Sequence, residues 1–169
     1  MRIEDRLSKN IFDYFIYFLI ILNLLPILAP ILAHFGLTFI SEPIYFIYSF
    51  TCHQFHWRSI HFFDRQVAWC ARDMFIWFAF LTTAIAIKKK YLPTGLKWYW
   101  ILPFAIPIAI DGGFQTISTF FGFASDTHVY LSTNLMRMIT GSIFGLGLGL
   151  VISPFLKEEQ DYARLDKNK

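Results

Sequence analysis

At 169 residues the chain is one domain's worth. It is 56% hydrophobic, 20% aromatic and only 16% charged, with a mean hydropathy of +0.47, which excludes an ordinary water-soluble domain, where about a quarter of residues carry charge. The net charge of +3 does not point to nucleic acid, because beside several long apolar runs basic residues serve topology first.

Residues 1–10 are polar, with Arg2, Arg6 and Lys9, and are expected at a membrane surface. The apolar run that follows lacks a small-residue cleavage site and is too long for a signal-peptide core, so it is read as a retained transmembrane helix over about 11–35. Pro26 and Pro30 are expected to kink it or end it early. Ser41-Glu42-Pro43 resembles a helix start, and the run over 43–51 is too short to span, so it reads as an interfacial or re-entrant half-helix. A third helix is expected over 67–87, stopped by Lys88, Lys89 and Lys90. A fourth is expected over 97–118, with Trp98, Tyr99 and Trp100 as belt residues and an interruption at Asp111-Gly112-Gly113. After a polar loop at 121–132, a fifth helix is expected over 133–155, its GLGLGL segment allowing close packing or oligomerisation. Residues 157–169 read as a charged, frayed tail. The fold class is therefore an all-α integral membrane protein, a single domain over 1–156 with four transmembrane helices and one short interfacial helix.

Eleven of the fifteen Lys and Arg residues lie in 1–10, 88–97 and 157–169. Under the positive-inside rule this gives a multi-pass protein of the cell membrane with both termini cytoplasmic. The other four, Arg58, Arg65, Arg72 and Arg137, then fall at the outer face.

The chemistry concentrates in 51–73, TCHQFHWRSIHFFDRQVAWCARD. Guanidinium suits bidentate binding of phosphate or carboxylate, which makes the four arginines candidate anion ligands; the alternative is that they pair with Asp64, Asp73, Asp111 and Asp126 as helix locks. Asp111 and Gln115 share one helix face, Asn134 and Arg137 another, and an Asp111–Arg137 pair is expected between them, as helix clamp or as wall of a site. Cys52 and Cys70 admit a disulfide, a packed free thiol, or a zinc or other transition-metal site completed by His53 and Asp73. His56 and His61 are expected to cap loop carbonyls.

Cys52-His53-Gln54, Arg58-Ser59, Arg65-Gln66, Cys70-Ala71-Arg72, Asp111-Gly112, Gln115, Asn134, Arg137 and Thr140-Gly141 together resemble an uncharacterised family of small prokaryotic integral membrane proteins, classed as a domain of unknown function. The resemblance spans about residues 50–142. In that family Cys-Ala-Arg is commonly followed by a further Cys; here Asp73 stands in its place, so one thiolate is exchanged for a carboxylate.

The leading expectation is a membrane enzyme acting on an anionic lipid or lipid-linked group. Arg58, Arg65, Arg72 and Arg137 would bind the anion, Asp111 would act as base or metal ligand with Gln115 and Asn134 orienting it, and Cys52, His53, Cys70 and Asp73 would hold a metal. The alternatives are a carrier or lipid-binding protein, and a structural subunit. Membrane lipids are the expected partners, with an oligomer as a further expectation and no role for nucleic acid.

Overall fold

The computed structural model describes residues 7–92, 96–121 and 132–165. Among the described residues there are five helices and one hairpin: α1 (Ile11–His34), α2 (Thr38–Ser49), β1 (Ser59–Phe62), β2 (Arg65–Cys70), α3 (Ala71–Lys88), α4 (Ile101–Phe120) and α5 (Asn134–Leu165), with 3-10 turns at His56–Arg58 and Trp98–Trp100. Among the described residues three segments are long and apolar enough to cross a membrane: Ile11–His34, Trp98–Ser118 and Asn134–Leu165. α3 is 18 residues long and carries Arg72, Asp73 and Lys88 at its ends, which sets it apart from those three.

α1 continues through both prolines to His34, and the reason is local. Pro26 has no N–H to give the Leu22 carbonyl, four residues back. The Tyr48 hydroxyl of α2 donates to that carbonyl at 2.8 Å instead. A backbone acceptor freed in an apolar setting is thus satisfied, so the helix does not end. Asn23, next in the chain, donates to the carbonyls of Leu19 and of Trp77 on α3 at 2.8 and 3.2 Å. Below this level Phe12, Ile16 and Leu19 of α1 pack on Phe80, Ala84 and Ile87 of α3.

The antiparallel hairpin corrects the all-α expectation. Phe62 pairs with Arg65 across a two-residue turn in which Phe63 and Asp64 both have positive φ, 51° and 62°. That is the left-handed pair that matches the twist of a tight hairpin. The cost of placing Phe63 there is offset by its ring, which stacks on His34 at 4.4 Å. Residues 65–70, expected near the start of the third helix, therefore form β2, and α3 begins only at Ala71. Trp69 on β2 is buried beside Tyr48, Ala29 and Ala68, and closes the space under α2.

Glycines bring α5 onto α3. A Cβ at Gly141 would stand 2.6 Å from the Arg72 carbonyl oxygen, and one at Gly145 would collide with the Ile76 carbonyl. One at Gly149 would stand 2.5 Å from Thr83 Cβ, and Gly147 faces the Phe104 ring of α4. The glycines of the GLGLGL segment are therefore used for close contacts within the chain. Two further expectations are corrected. α4 passes unbroken through Asp111-Gly112-Gly113, and α5 stays helical to Leu165 where a frayed tail was expected. Arg164 holds that extension by donating to the Lys9 carbonyl and the Asp13 carboxylate at 2.8 and 3.0 Å, and Phe12 N–H donates to Gln160 Oε1 at 3.0 Å. Most of the loop at 121–132, with Asp126, lies outside the described residues.

The bundle thus has two polar ends. Lys88, Lys157, Arg164 and Asp13 meet at one, with Lys88 Nζ 2.8 Å from Asp13. The hairpin, both cysteines and four arginines, Arg58, Arg65, Arg72 and Arg137, lie at the other.

Candidate functional site

Cys52 follows the last turn of α2, and Cys70 ends β2 and caps α3. Cross-strand pairing of Ser59 with Cys70 and the burial of Trp69 fix where Cys70 stands. Asp73 lies three residues on, in the first turn of α3, so its carboxylate and the Cys70 sulfur project to the same side. The two sulfurs and one Asp73 oxygen all lie within 4.8 Å of one another. Cys70 Sγ stands 3.2 Å from Asp73 Oδ2.

Backbone N–H groups point at both sulfurs. Cys52 Sγ accepts from Cys70 N at 3.2 Å and Gln54 N at 3.5 Å, while Cys70 Sγ accepts from Asp73 N at 3.5 Å. Such donors favour thiolate and orient it as a ligand. The hydrogen bond from the Cys70 thiol holds Cys52 below the ordinary thiol range, against the opposing effect of burial. Cys70, as the donor of that bond, buried and beside Asp73, is pushed well above it. Both cysteines are free thiols.

The loop carrying Cys52 is braced by residues outside the expected site. Gln54 adopts φ 51°, its side chain donates to the Tyr45 carbonyl at 2.7 Å, and its own carbonyl accepts from Gln66 Nε2 at 2.6 Å. The Tyr45 hydroxyl closes the ring by donating to the Gln66 carbonyl at 2.6 Å. Thr51 accepts from Trp69 Nε1 at 3.2 Å. The glutamines of Cys-His-Gln and Arg-Gln thus bind backbone to backbone, and their presence in the recurrent motifs was the signal available in the sequence.

A cavity of about 140 Å³ opens beside this cluster, lined by Cys52, His53, Cys70, Asp73, Arg58 and Arg72. The Nε atoms of Arg58 and Arg72 are buried with no hydrogen-bond partner. Arg72 is ion-paired with Asp111 of α4. Asp111 in turn accepts from Gln115 Nε2 at 3.3 Å, and Gln115 Oε1 accepts from Arg137 Nη2 at 3.2 Å. Arg137, 2% exposed, also donates to Asn134 at 3.2 Å and lies within electrostatic reach of Arg58 and Arg72. One polar chain therefore joins α3, α4 and α5.

The expected direct Asp111–Arg137 pair is corrected: Arg72 takes Asp111, and Gln115 stands between Asp111 and Arg137. Arg65 is held apart, on the surface, 3.9 Å from Glu42. His53 lines the cavity, with its ring stacked on Phe55, but contributes no nitrogen to the Cys52–Cys70–Asp73 group. His56 and His61 bond each other at 2.9 Å instead of capping carbonyls.

Comparison with known proteins adds the family. A family profile described as predicted membrane protein (DUF2085) matches residues 52–151, which takes in the cavity, α3, α4 and most of α5. The uncharacterized protein MJ1492 of Methanocaldococcus jannaschii is 36% identical over 142 residues, covering 78% of this chain and 83% of that protein. No solved structure matches the chain.

Proposed function

The chain belongs to the DUF2085 family of predicted membrane proteins, and from that premise we propose that it is a metal-assisted membrane enzyme acting on the phosphate or carboxylate of an anionic lipid or lipid-linked group. The observation that carries this reading is a shared cavity: the ligand atoms of Cys52, Cys70 and Asp73 and the guanidinium groups of Arg58 and Arg72 line the same space.

The donor set fits zinc. Two sulfurs and a carboxylate oxygen within 4.8 Å of one another are ligand types of zinc, close enough that small side-chain shifts would bring all three to one ion. Three protein ligands leave a fourth tetrahedral position, the arrangement of catalytic and not of structural zinc. A bound zinc would supply Lewis acidity and a water activated near neutral pH. The chain's own groups do the rest. Arg58 and Arg72 carry partnerless Nε–H groups that can donate to an anion, Asp111 holds Arg72 in place, and Arg137, fixed by Gln115 and Asn134, adds positive potential behind them. Asp111 is thereby a positioning residue in this reading, and the carrier alternative loses the broken fourth helix on which it leaned.

Elemental analysis of detergent-purified protein tests the proposal, with thiols counted in the same samples. Near-stoichiometric zinc in the wild type, lost in Cys70→Ser and Asp73→Ala, is the expected result. Metal-free protein with Cys52 and Cys70 joined in a disulfide overturns it.

A further inference from the structure

A second cavity, of about 560 Å³, adjoins the polar one. It falls inside the roughly 300–1,000 Å³ range of ligand sites. Its walls are apolar: Phe18, Ile21 and Leu25 of α1, Ile47 of α2, Trp77 of α3 and Leu148 of α5 are among them. Two residues, Thr51 and Asp73, line both cavities. One is a candidate ligand and the other is hydrogen-bonded to Trp69. From the level of Leu25 to that of Phe18 the groove runs roughly 10 Å along α1, at 1.5 Å per residue, away from the hairpin end. Phe18, Ile21 and Ile47 are each more than half exposed, so the groove is open sideways, toward the surface a bilayer would cover.

We infer that this groove takes one hydrocarbon chain of the anionic lipid, admitted laterally from the bilayer, while its headgroup lies on Arg58 and Arg72. The inference rests on the anionic-lipid reading above and assigns the tail a place. Continuity argues for this occupant. An apolar groove that ends at Thr51 and Asp73, which it shares with the cavity holding Arg58 and Arg72, matches a molecule with a tail at one end and an anion at the other. A free soluble anion would leave the groove without purpose. The two aromatic walls, Trp69 and Trp77, stack at 6.1 Å and give the groove a rigid back.

Binding of inorganic phosphate, butyl phosphate and octyl phosphate to the detergent-solubilised full chain tests the assignment by thermal shift and calorimetry. Affinity is expected to rise with chain length, with octyl phosphate at least about tenfold tighter than inorganic phosphate. Ile47→Trp and Ile21→Trp fill the groove at exposed positions; each is expected to abolish the chain-length dependence and to leave inorganic phosphate binding unchanged. Arg58→Gln is expected to weaken all three ligands alike. Equal affinity for the three anions, or a chain-length dependence that survives both groove-filling variants, overturns the inference. The same series on Cys70→Ser separates the two proposals. Chain-length dependence in both proteins, with no metal in the wild type to lose, would sink the metal reading alone, whereas metal that is lost in the variant, with no chain-length dependence in either protein, would sink only the groove.

Discussion

Among single residues, Asp111 and Arg72 are the most consequential pair outside the sulfur cluster. Their side chains are 12% and 19% exposed, in a part of the bundle where a lone charge is expensive. Removing one partner leaves the other uncompensated, so Asp111→Leu is expected to destabilise the protein by about 3 kcal/mol, read as a lowered midpoint of unfolding in detergent. The Arg72→Met/Asp111→Leu double variant should recover part of that loss, because neither charge then remains stranded. Asp111→Asn should keep its metal while Asp73→Asn loses it, since only Asp73 stands within reach of the sulfurs. A double variant no more stable than Asp111→Leu would show that the pair does not act as a clamp. Much at this scale was legible: Arg58, Arg72, Arg137, Cys52, Cys70, Asp73, Asp111, Gln115 and Asn134 were singled out by polarity in an apolar chain, and they meet. Partner choice was not legible. Arg72 lies in the first turn of α3 and Arg137 about one turn into α5, both near the same end of the bundle, so spacing along the chain cannot decide which of them takes Asp111.

At the scale of elements, the approach of α5 to α3 decides whether the site exists. Gly141 faces the Arg72 carbonyl and Gly145 that of Ile76, so α5 lies against backbone that cannot swing aside as a side chain would. Gly145→Val is expected to cost about 1–3 kcal/mol by overpacking and to shift Arg72 and Arg137 apart, lowering metal content and unfolding midpoint together. Gly113→Ala is the control: nothing lies within 4 Å of a Cβ there, so stability and metal should hold. A Gly145→Val protein as stable as the wild type would mean that the helices are not packed at this distance. The helices were legible from apolar run length, but the hairpin was not, for two physical reasons. Its turn residues are Phe63-Asp64 and not Asn-Gly, with a stacked ring in place of the usual local preference. Its second strand, RQVAWC, runs directly into a helix, so no break in polarity marks the boundary. Likewise Pro26 is expected from sequence to kink or end α1, and the partner that satisfies the carbonyl it frees, Tyr48, stands 22 positions away.

Across the whole molecule, the two polar ends bear on orientation. Asp13, in the first turn of α1, binds Lys88 at the last residue of α3, so the chain leaves that end through α1 and returns to it through α3. Eighteen residues reach about 27 Å, a little short of a bilayer core of about 30 Å, and the charges at both tips can snorkel to the interfaces. This supports α3 as a fourth crossing despite its charged ends. Arg164 of α5 meets the same Asp13, so the described stretches nearest the two ends of the sequence lie together, which favours an even number of crossings. That side holds Lys88, Lys89, Lys90 and Lys157, while the opposite end carries arginines without a lysine among the described residues. The expectation is that fluorescent-protein fusions to either terminus fluoresce, as a cytoplasmic location demands. An alkaline phosphatase joined after Ser49, beyond the first crossing, should be active outside. Exported activity from a C-terminal fusion would reverse the orientation and move the cysteines, the arginines and the mouth of the groove to the cytoplasmic leaflet. In that compartment reduced thiols are the rule, so the metal reading would gain over a disulfide even as the proposed outer-face substrate was lost.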